Sequence, residues 1–222
     1  MHQVGGRGRP GVRGKRIWVG AALAATIGLL ALLLWPTSMV GHAKTVLEAI
    51  SDRDAGRLMR YASPREKEVT GLTKENLQRV LDEIEAPAMV GFRPQGRVMT
   101  ELMAGGDEGT AYHPHVSSQG QPLTYGAAVW RTDEGLFTEV LLSILRNAWH
   151  AEGLKRTGKH LPGTGDVQRW QIDGIRRDRA KLESWGLKGI VSELTPEAKL
   201  VTWDELEEWN QGLMAEFEAA AR

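Results

Sequence analysis

The feature that most constrains this chain is an uncharged apolar run of 19 residues, Ile17 to Trp35. As a helix rising ~1.5 Å per residue, it would span about 28 Å, close to the ~30 Å hydrocarbon core of a bilayer. Trp18 and Trp35 fit the membrane–water interface, and Pro36 would end the helix. Because a secretory signal usually has only about 7–15 apolar residues, we expect a retained single-pass anchor.

Two further predictions concern this run. Gly41 and Ala43 are small residues suited to positions −3 and −1 of a signal cleavage site, so secretion after cleavage near Ala43 is the alternative. Gly20, Ala24 and Gly28 repeat every four residues, a pattern that lets membrane helices approach closely and would support a homo-oligomer.

The charge distribution sets the orientation. Residues 1–16 hold five bases and no acid, residues 17–35 hold no charge, and the remainder holds 23 bases against 28 acids. The positive-inside rule places the N-terminus in the cytoplasm and residues 36–222 outside, in the periplasm of a bacterial inner-membrane protein or beyond it. The acidic exported part argues against nucleic acid as a partner, since phosphate binding needs clustered bases.

The absence of cysteine limits the chemistry that is open to the chain. It excludes disulfides, thiolate nucleophiles, cysteine-ligated zinc and iron–sulfur clusters. No phosphate-binding loop, nucleophile elbow or metalloprotease histidine pair occurs either, so we expect no cofactor and favour a protein that is not an enzyme.

The exported part has an α+β pattern. Ser63 before Pro64, Thr73 before an apolar stripe, and the capping box of Thr202 with Glu205 predict helix starts. Pro87 and Gly153 predict helix ends. Alternating segments predict antiparallel strands near 96–104, 109–118 and 122–131. The chain is thus divided into a basic tail (1–16), a transmembrane helix (17–35), a linker (36–43), and helices packed on a curved antiparallel sheet (44–153). The C-terminal part (154–222) begins with an exposed loop (154–170) and continues as a helical extension.

The main local cluster is Tyr112-His113-Pro114-His115-Val116. On a strand His113 and His115 point to one face, where they could bind zinc or nickel with a third ligand. The candidates for that ligand are Glu101, Asp107 and Glu108. A His-x-His pair alone is a weak signal, and we favour two half-exposed histidines without metal. Pro114 predicts a sheet edge or a bulge.

The segment 46–84 resembles the opening of nuclear-transport-factor-two-like domains, the cone fold that includes ketosteroid-isomerase-like proteins. The matching positions are Ala49, Asp54, Leu58, Ser63 and Pro64. The resemblance covers residues 44–150 and implies a curved antiparallel sheet wrapped around helices to form a pocket. It also implies an enzyme alternative, in which an acid or histidine in the pocket acts as general base. The candidate pocket residues are Asp107, His113 and Tyr125, with Tyr112 on the opposite face from His113.

Three functions follow from these observations. The favoured one is a non-catalytic, membrane-anchored binding or assembly module that meets a protein or peptide partner in the envelope. The first alternative is a small ligand-binding protein or an isomerase- or dehydratase-like enzyme of the cone fold. The second alternative is a structural subunit of an envelope or secretion complex.

Overall fold

A computed structural model describes residues 38–102, 108–159, 163, 165–191 and 198–220. The predicted membrane helix at 17–35, with its small-residue repeat, lies outside these residues. Within the described part of the chain, no helix combines the length and the apolar character that crossing a bilayer requires.

The described residues form an α+β fold, as predicted. The helices are Met39–Ser51 (α1), Ala55–Leu58 (α2), Pro64–Thr70 (α3), Lys74–Val80 (α4), Ala86–Met89 (α5), Val140–Thr157 (α6), Asp166–Ser184 (α7) and Trp203–Ala220 (α8), and a π-helical turn, Leu81–Glu85, joins α4 to α5. The strands are Phe92–Pro94 (β1), Met99–Leu102 (β2), Glu108–Ser117 (β3), Pro122–Thr132 (β4), Gly135–Thr138 (β5), Gly189–Val191 (β6) and Leu200–Thr202 (β7).

β1 to β5 form one antiparallel sheet, and β6 pairs with β7 in a separate hairpin. β3 pairs with β4 along nearly its whole length, and β5 follows on the far side of β4. β1 and β2 share the other side of β3, where β2 pairs with its first half and β1 with its last residues. The predicted meander of three strands is confirmed, and the short β1 and β5 extend it.

Pro114 lies in this interior strand, so the expected sheet edge is wrong for β3 as a whole. The proline falls where the neighbour of β3 changes from β2 to β1. Its carbonyl accepts a hydrogen bond from the Gln95 N–H at 2.8 Å. Because the N–H and C=O of a strand residue point to the same side, the missing N–H faces this gap between two short strands.

α1 and α6 pack on the sheet, and their apolar faces form the core. β5 pairs only with Val129–Thr132 of β4, which leaves Gly126 without a strand partner on that side. The Asn147 side chain of α6 takes that place: its Oδ1 accepts from the Gly126 N–H at 3.1 Å and its Nδ2 donates to the Gly126 carbonyl at 2.8 Å. This pairing fixes the height of α6 on the sheet.

The start of α6 is capped from a distance. Glu66 of α3 is 1% exposed. Its Oε1 accepts from the Leu141 N–H at 3.0 Å, and its Oε2 accepts from the Val140 N–H at 3.4 Å. The carboxyl thus satisfies two of the backbone donors that a helix leaves unpaired at its N-terminus. Burial raises the pKa of Glu66 to about 8, and the two backbone hydrogen bonds oppose that rise.

Residues 154–157 and 166–170, which we assigned to an exposed loop, are helical. α6 continues to Thr157, Gly158 adopts a left-handed φ of 66° after it, and α7 begins at Asp166. Gly153, which we expected to end the helix, lies inside it. A Cβ on Gly153 would come within 2.2 Å of the Trp170 ring, and a Cβ on Gly174 would come within 2.2 Å of the Trp149 ring. Each helix therefore provides the glycine against which the tryptophan of the other packs.

The predicted C-terminal extension is part of the same core. Trp170, Ile175, Leu182 and Leu206 are buried in one cluster with residues of α1 and β4. The Trp149 indole of α6 donates to Asp178 of α7 at 2.9 Å, a bond that joins the two helices inside the protein. A capping box at Thr202 and Glu205 starts α8, as the sequence predicts.

The first helix begins earlier than expected. Ser38 is the N-cap, and its hydroxyl accepts from the Gly41 N–H at 2.9 Å. Residues 39–43, which we assigned to a linker, form the first turn of α1. Met39 and Ala43 are 5% and 2% exposed, so this turn belongs to the core.

Candidate functional site

A cavity lies between the C-terminal end of α1, the π-helical turn and the sheet, and we call it the helix–sheet cavity. Its volume is about 720 Å³. Its apolar walls include Leu47, Ala86, Met89, Phe92 and Val98. Its polar residues are Glu48, Ser51, Asp52, Arg53, Glu85, His113, His115 and Tyr125.

Glu85 and Tyr125 form the buried polar floor of the helix–sheet cavity. They are 5% and 3% exposed, and the Tyr125 hydroxyl donates to Glu85 Oε1 at 2.8 Å. Burial raises the pKa of Glu85, while the Tyr125 hydrogen bond and Arg53 oppose this rise. Burial also raises the pKa of Tyr125 well above its usual value, and the nearby Glu85 adds to the effect. A carboxyl group in this position therefore keeps its proton to a higher pH than an exposed one.

The two histidines lie beside this pair on the same face of the sheet. His113 is directly opposite Tyr125 across the β3–β4 ladder. The His115 ring lies 5.4 Å from the Tyr125 ring and 5.0 Å from the His113 ring, between centroids. His115 Nδ1 is 2.8 Å from the His113 carbonyl, which orients the ring. Burial lowers the pKa of His115, which favours the neutral imidazole.

Two backbone irregularities lie at the same cavity. Glu85 ends the π-helical turn, a feature frequent at functional sites. Arg53 follows α1 with a φ of 54°, a left-handed conformation that costs a residue with a Cβ roughly 1–2 kcal/mol. This conformation holds the Arg53 side chain over the cavity, with Nε 4.0 Å from Glu85 Oε2. The strain therefore falls beside the polar floor.

The structure brings together three of the residues that the sequence singled out, His113, His115 and Tyr125, at one cavity. The expectation that His113 and His115 share a face fits this arrangement. Asp107 lies outside the described residues, as does the side chain of Glu108. No group of three acidic or histidine side chains in the described part of the chain is placed to hold a metal ion.

Glu85 and Arg53 were missed by the sequence reasoning. The sequence does indicate that Glu85 is buried, because it follows Leu77 and Leu81 at intervals of four on the apolar stripe of the predicted helix. An acid on a buried stripe points to a special role. Arg53 had no such signal, since nothing in its neighbourhood marks it as left-handed.

Comparisons of the chain with protein-family models, with curated proteins and with solved structures find no match. The site is therefore interpreted from its own geometry.

Proposed function

We propose that this protein is a membrane-anchored module on the outer side of a bacterial inner membrane, and that it binds a small molecule in the helix–sheet cavity. The ligand has an apolar body and one polar end. The observation that carries the proposal is an apolar-walled cavity whose floor presents a buried carboxyl, a phenol and a neutral imidazole side by side. Ligand pockets typically combine apolar walls with a few convergent polar groups in this way.

The charges around the cavity favour a neutral or cationic polar end. Three carboxyl groups, of Glu48, Asp52 and Glu85, face one guanidinium, that of Arg53. Glu48 and Asp52 are offset by Arg57, whose nitrogens lie 3.2 and 3.4 Å from their oxygens. An anionic ligand would gain little from these groups and would be repelled by Glu85.

The binding test uses three fluorinated probes: 4-(trifluoromethyl)phenol, 4-(trifluoromethyl)benzylammonium and 4-(trifluoromethyl)benzoate. We expect the ¹⁹F signals of the phenol and the ammonium to broaden with the full chain, and this broadening is the readout. The benzoate, which Glu85 repels, should show no broadening that depends on this cavity. Ala86→Trp would fill the cavity and abolish the broadening. Ala215→Trp, on the exposed face of α8, is the matched control and should leave it unchanged. Broadening that survives Ala86→Trp would place the probes elsewhere and refute the proposal.

A second candidate function is acid–base catalysis, and the specific observation that favours it is the buried Glu85 with its raised pKa. General bases work best when their pKa lies near the operating pH. The resemblance to cone-fold isomerases and dehydratases agrees with such a role. The test is deuterium exchange at the α-carbon of cyclohexanone in D₂O. Equal exchange rates for the parent chain and Glu85→Gln would discard this candidate.

Retention of the N-terminal helix is part of the proposal. Cleavage after Ala43 would remove the Ser38 cap and the buried first turn of α1. Intact-mass measurement of the mature protein tests it directly, because a chain that begins at Lys44 would contradict the anchor. Crosslinking in the native membrane tests the expected envelope partner and self-association through Gly20, Ala24 and Gly28.

A further inference from the structure

A second cavity, with a volume of about 450 Å³, lies between β4, α6, the β6–β7 hairpin and α8. No residue lines both cavities. Trp130 lines this one, and because side chains alternate along a strand it is on the opposite face of β4 from Tyr125. The apolar walls are Leu142, Ile190, Val191 and Val201, and Trp209, which is 52% exposed, stands at the mouth.

Two hydrogen-bond donors in this second cavity have no partner among the residues that the structure describes. Nε of Arg146 and Nε1 of Trp130 are both hidden from solvent, and neither donates to any atom of the described residues. A buried donor without an acceptor is costly, and the great majority of such groups in folded proteins are paired. Two of them lining one cavity point to an acceptor that comes from a ligand.

Arg146 also lacks a close counter-ion within the described part of the chain. No carboxylate of the described residues lies within 4.0 Å of its guanidinium, although the described part of the chain contains many other ion pairs. Burial lowers the pKa of Arg146, and the more distant Glu139, which also lines the cavity, offsets part of that effect. The cavity therefore contains a partly desolvated cation whose charge Glu139 balances only through space.

We propose that the second cavity binds a small carboxylate that has an apolar body. The carboxylate supplies acceptors for the Arg146 and Trp130 donors and a charge for the guanidinium, while the apolar body contacts the aliphatic walls and Trp209. A neutral amide supplies the acceptor without the charge, and an ammonium supplies neither. Because Glu139 repels an incoming anion, the affinity is in the millimolar range rather than tighter.

The test measures the melting temperature of the full chain in maltoside detergent with sodium hexanoate, hexanamide or hexylammonium chloride. Every chain carries Ala86→Trp, which closes the helix–sheet cavity to the neutral and cationic compounds. With hexanoate at about 10 mM and a Kd of roughly 1 mM, we expect a rise of about 3–5 °C. Neither hexanamide nor hexylammonium should match it. Equal stabilisation by hexanamide would overturn the proposal, because the charge of Arg146 would then play no part.

Variants locate the effect. Arg146→Met should melt higher than the parent without ligand, because a buried unpaired charge is gone, and should lose the hexanoate shift. Arg156→Met, on the same helix and outside this cavity, should keep the shift. A hexanoate shift that persists in Arg146→Met would contradict the assignment.

An independent readout covers the case in which Arg146→Met fails to fold. The indole N–H resonance of Trp130, identified by its loss in Trp130→Phe, should move on adding hexanoate to the parent chain, and a fixed resonance would refute the proposal. Glu193 and Glu197 lie in the sequence between β6 and β7, outside the described residues. A hexanoate shift that is seen in the double variant Glu193→Gln, Glu197→Gln but not in the parent would mean that one of these two carboxylates occupies the cavity in the parent. The proposal would then fail.

Discussion

Glu66 makes the stability of this fold depend on pH in an unusual direction. Its pKa is about 8 in the folded protein against an ordinary 4.5, so between these two values the folded state keeps a proton that the unfolded chain has released. The contribution of Glu66 to stability is therefore complete below pH 4.5 and is lost as the pH rises towards 8. A difference of this size corresponds to a loss on the order of 5 kcal/mol, comparable with the whole stability of many domains.

Glu66→Gln isolates this effect. The glutamine oxygen still accepts from the Leu141 N–H, but the side chain cannot ionise, so it imitates the protonated acid. We expect the two proteins to unfold with similar free energies at pH 4, and the variant to be more stable at pH 8 by up to about 5 kcal/mol. Urea unfolding at several pH values measures this. Taking the difference between the two proteins cancels the contribution of buried histidines, which both proteins share.

A variant-minus-parent difference that stays constant with pH would refute the reasoning. If the parent instead became more stable than the variant above pH 4.5, the folded protein would favour the ionised form of Glu66. In that case the two backbone N–H groups and the helix terminus, rather than burial, would control the ionisation of Glu66.

Other perturbations test the packing and the cavity. Gly153→Ala and Gly174→Ala should each lower the free energy of unfolding in urea by several kcal/mol, because the added methyl group would clash with a tryptophan ring. Gly212→Ala, whose Cβ would meet nothing within 4 Å, should raise it by about 1 kcal/mol. Arg53→Gly should raise the melting temperature slightly, because glycine adopts the left-handed conformation without strain. The same variant should alter probe binding in the helix–sheet cavity, and unchanged binding would contradict a role for the Arg53 guanidinium. Burial lowers the pKa of His42 to about 4, so the contribution of His42 to stability is present above pH 6.5 and is lost as the pH falls towards 4. His42→Leu should reduce the loss of stability over this acidic range. Thermal melts at several pH values measure this. EDTA should leave the melting temperature unchanged.

Local signals in the sequence predicted the local structure well. Ser63, Thr73 and Thr202 each cap a helix through the hydrogen bond that their position implies. Strand alternation placed His113 and His115 on one face, because the period of two is a property of the backbone itself. These features depend on residues only a few positions apart.

Features that depend on distant residues could not be predicted in this way. Gly153 looked like a helix end, because nothing near it shows that Trp170 will pack against it. The proline at position 87 looked like another helix end, yet the π-helical turn before it lets the helix continue to Met89. The candidate site needed both kinds of information. Glu85 comes from a helix and Tyr125 from a strand 40 residues later, and only the folded chain brings them together.

The paired contacts between α6 and α7 have a consequence for the evolution of this chain. Each ring fits only while its partner lacks a side chain, because a Cβ there would clash with the ring. Positions 153 and 170 should therefore change together among relatives, and so should 174 and 149. Single substitutions at any of the four would pass through a poorly folded intermediate, so this helix pair is expected to persist unchanged while the cavities around it diversify.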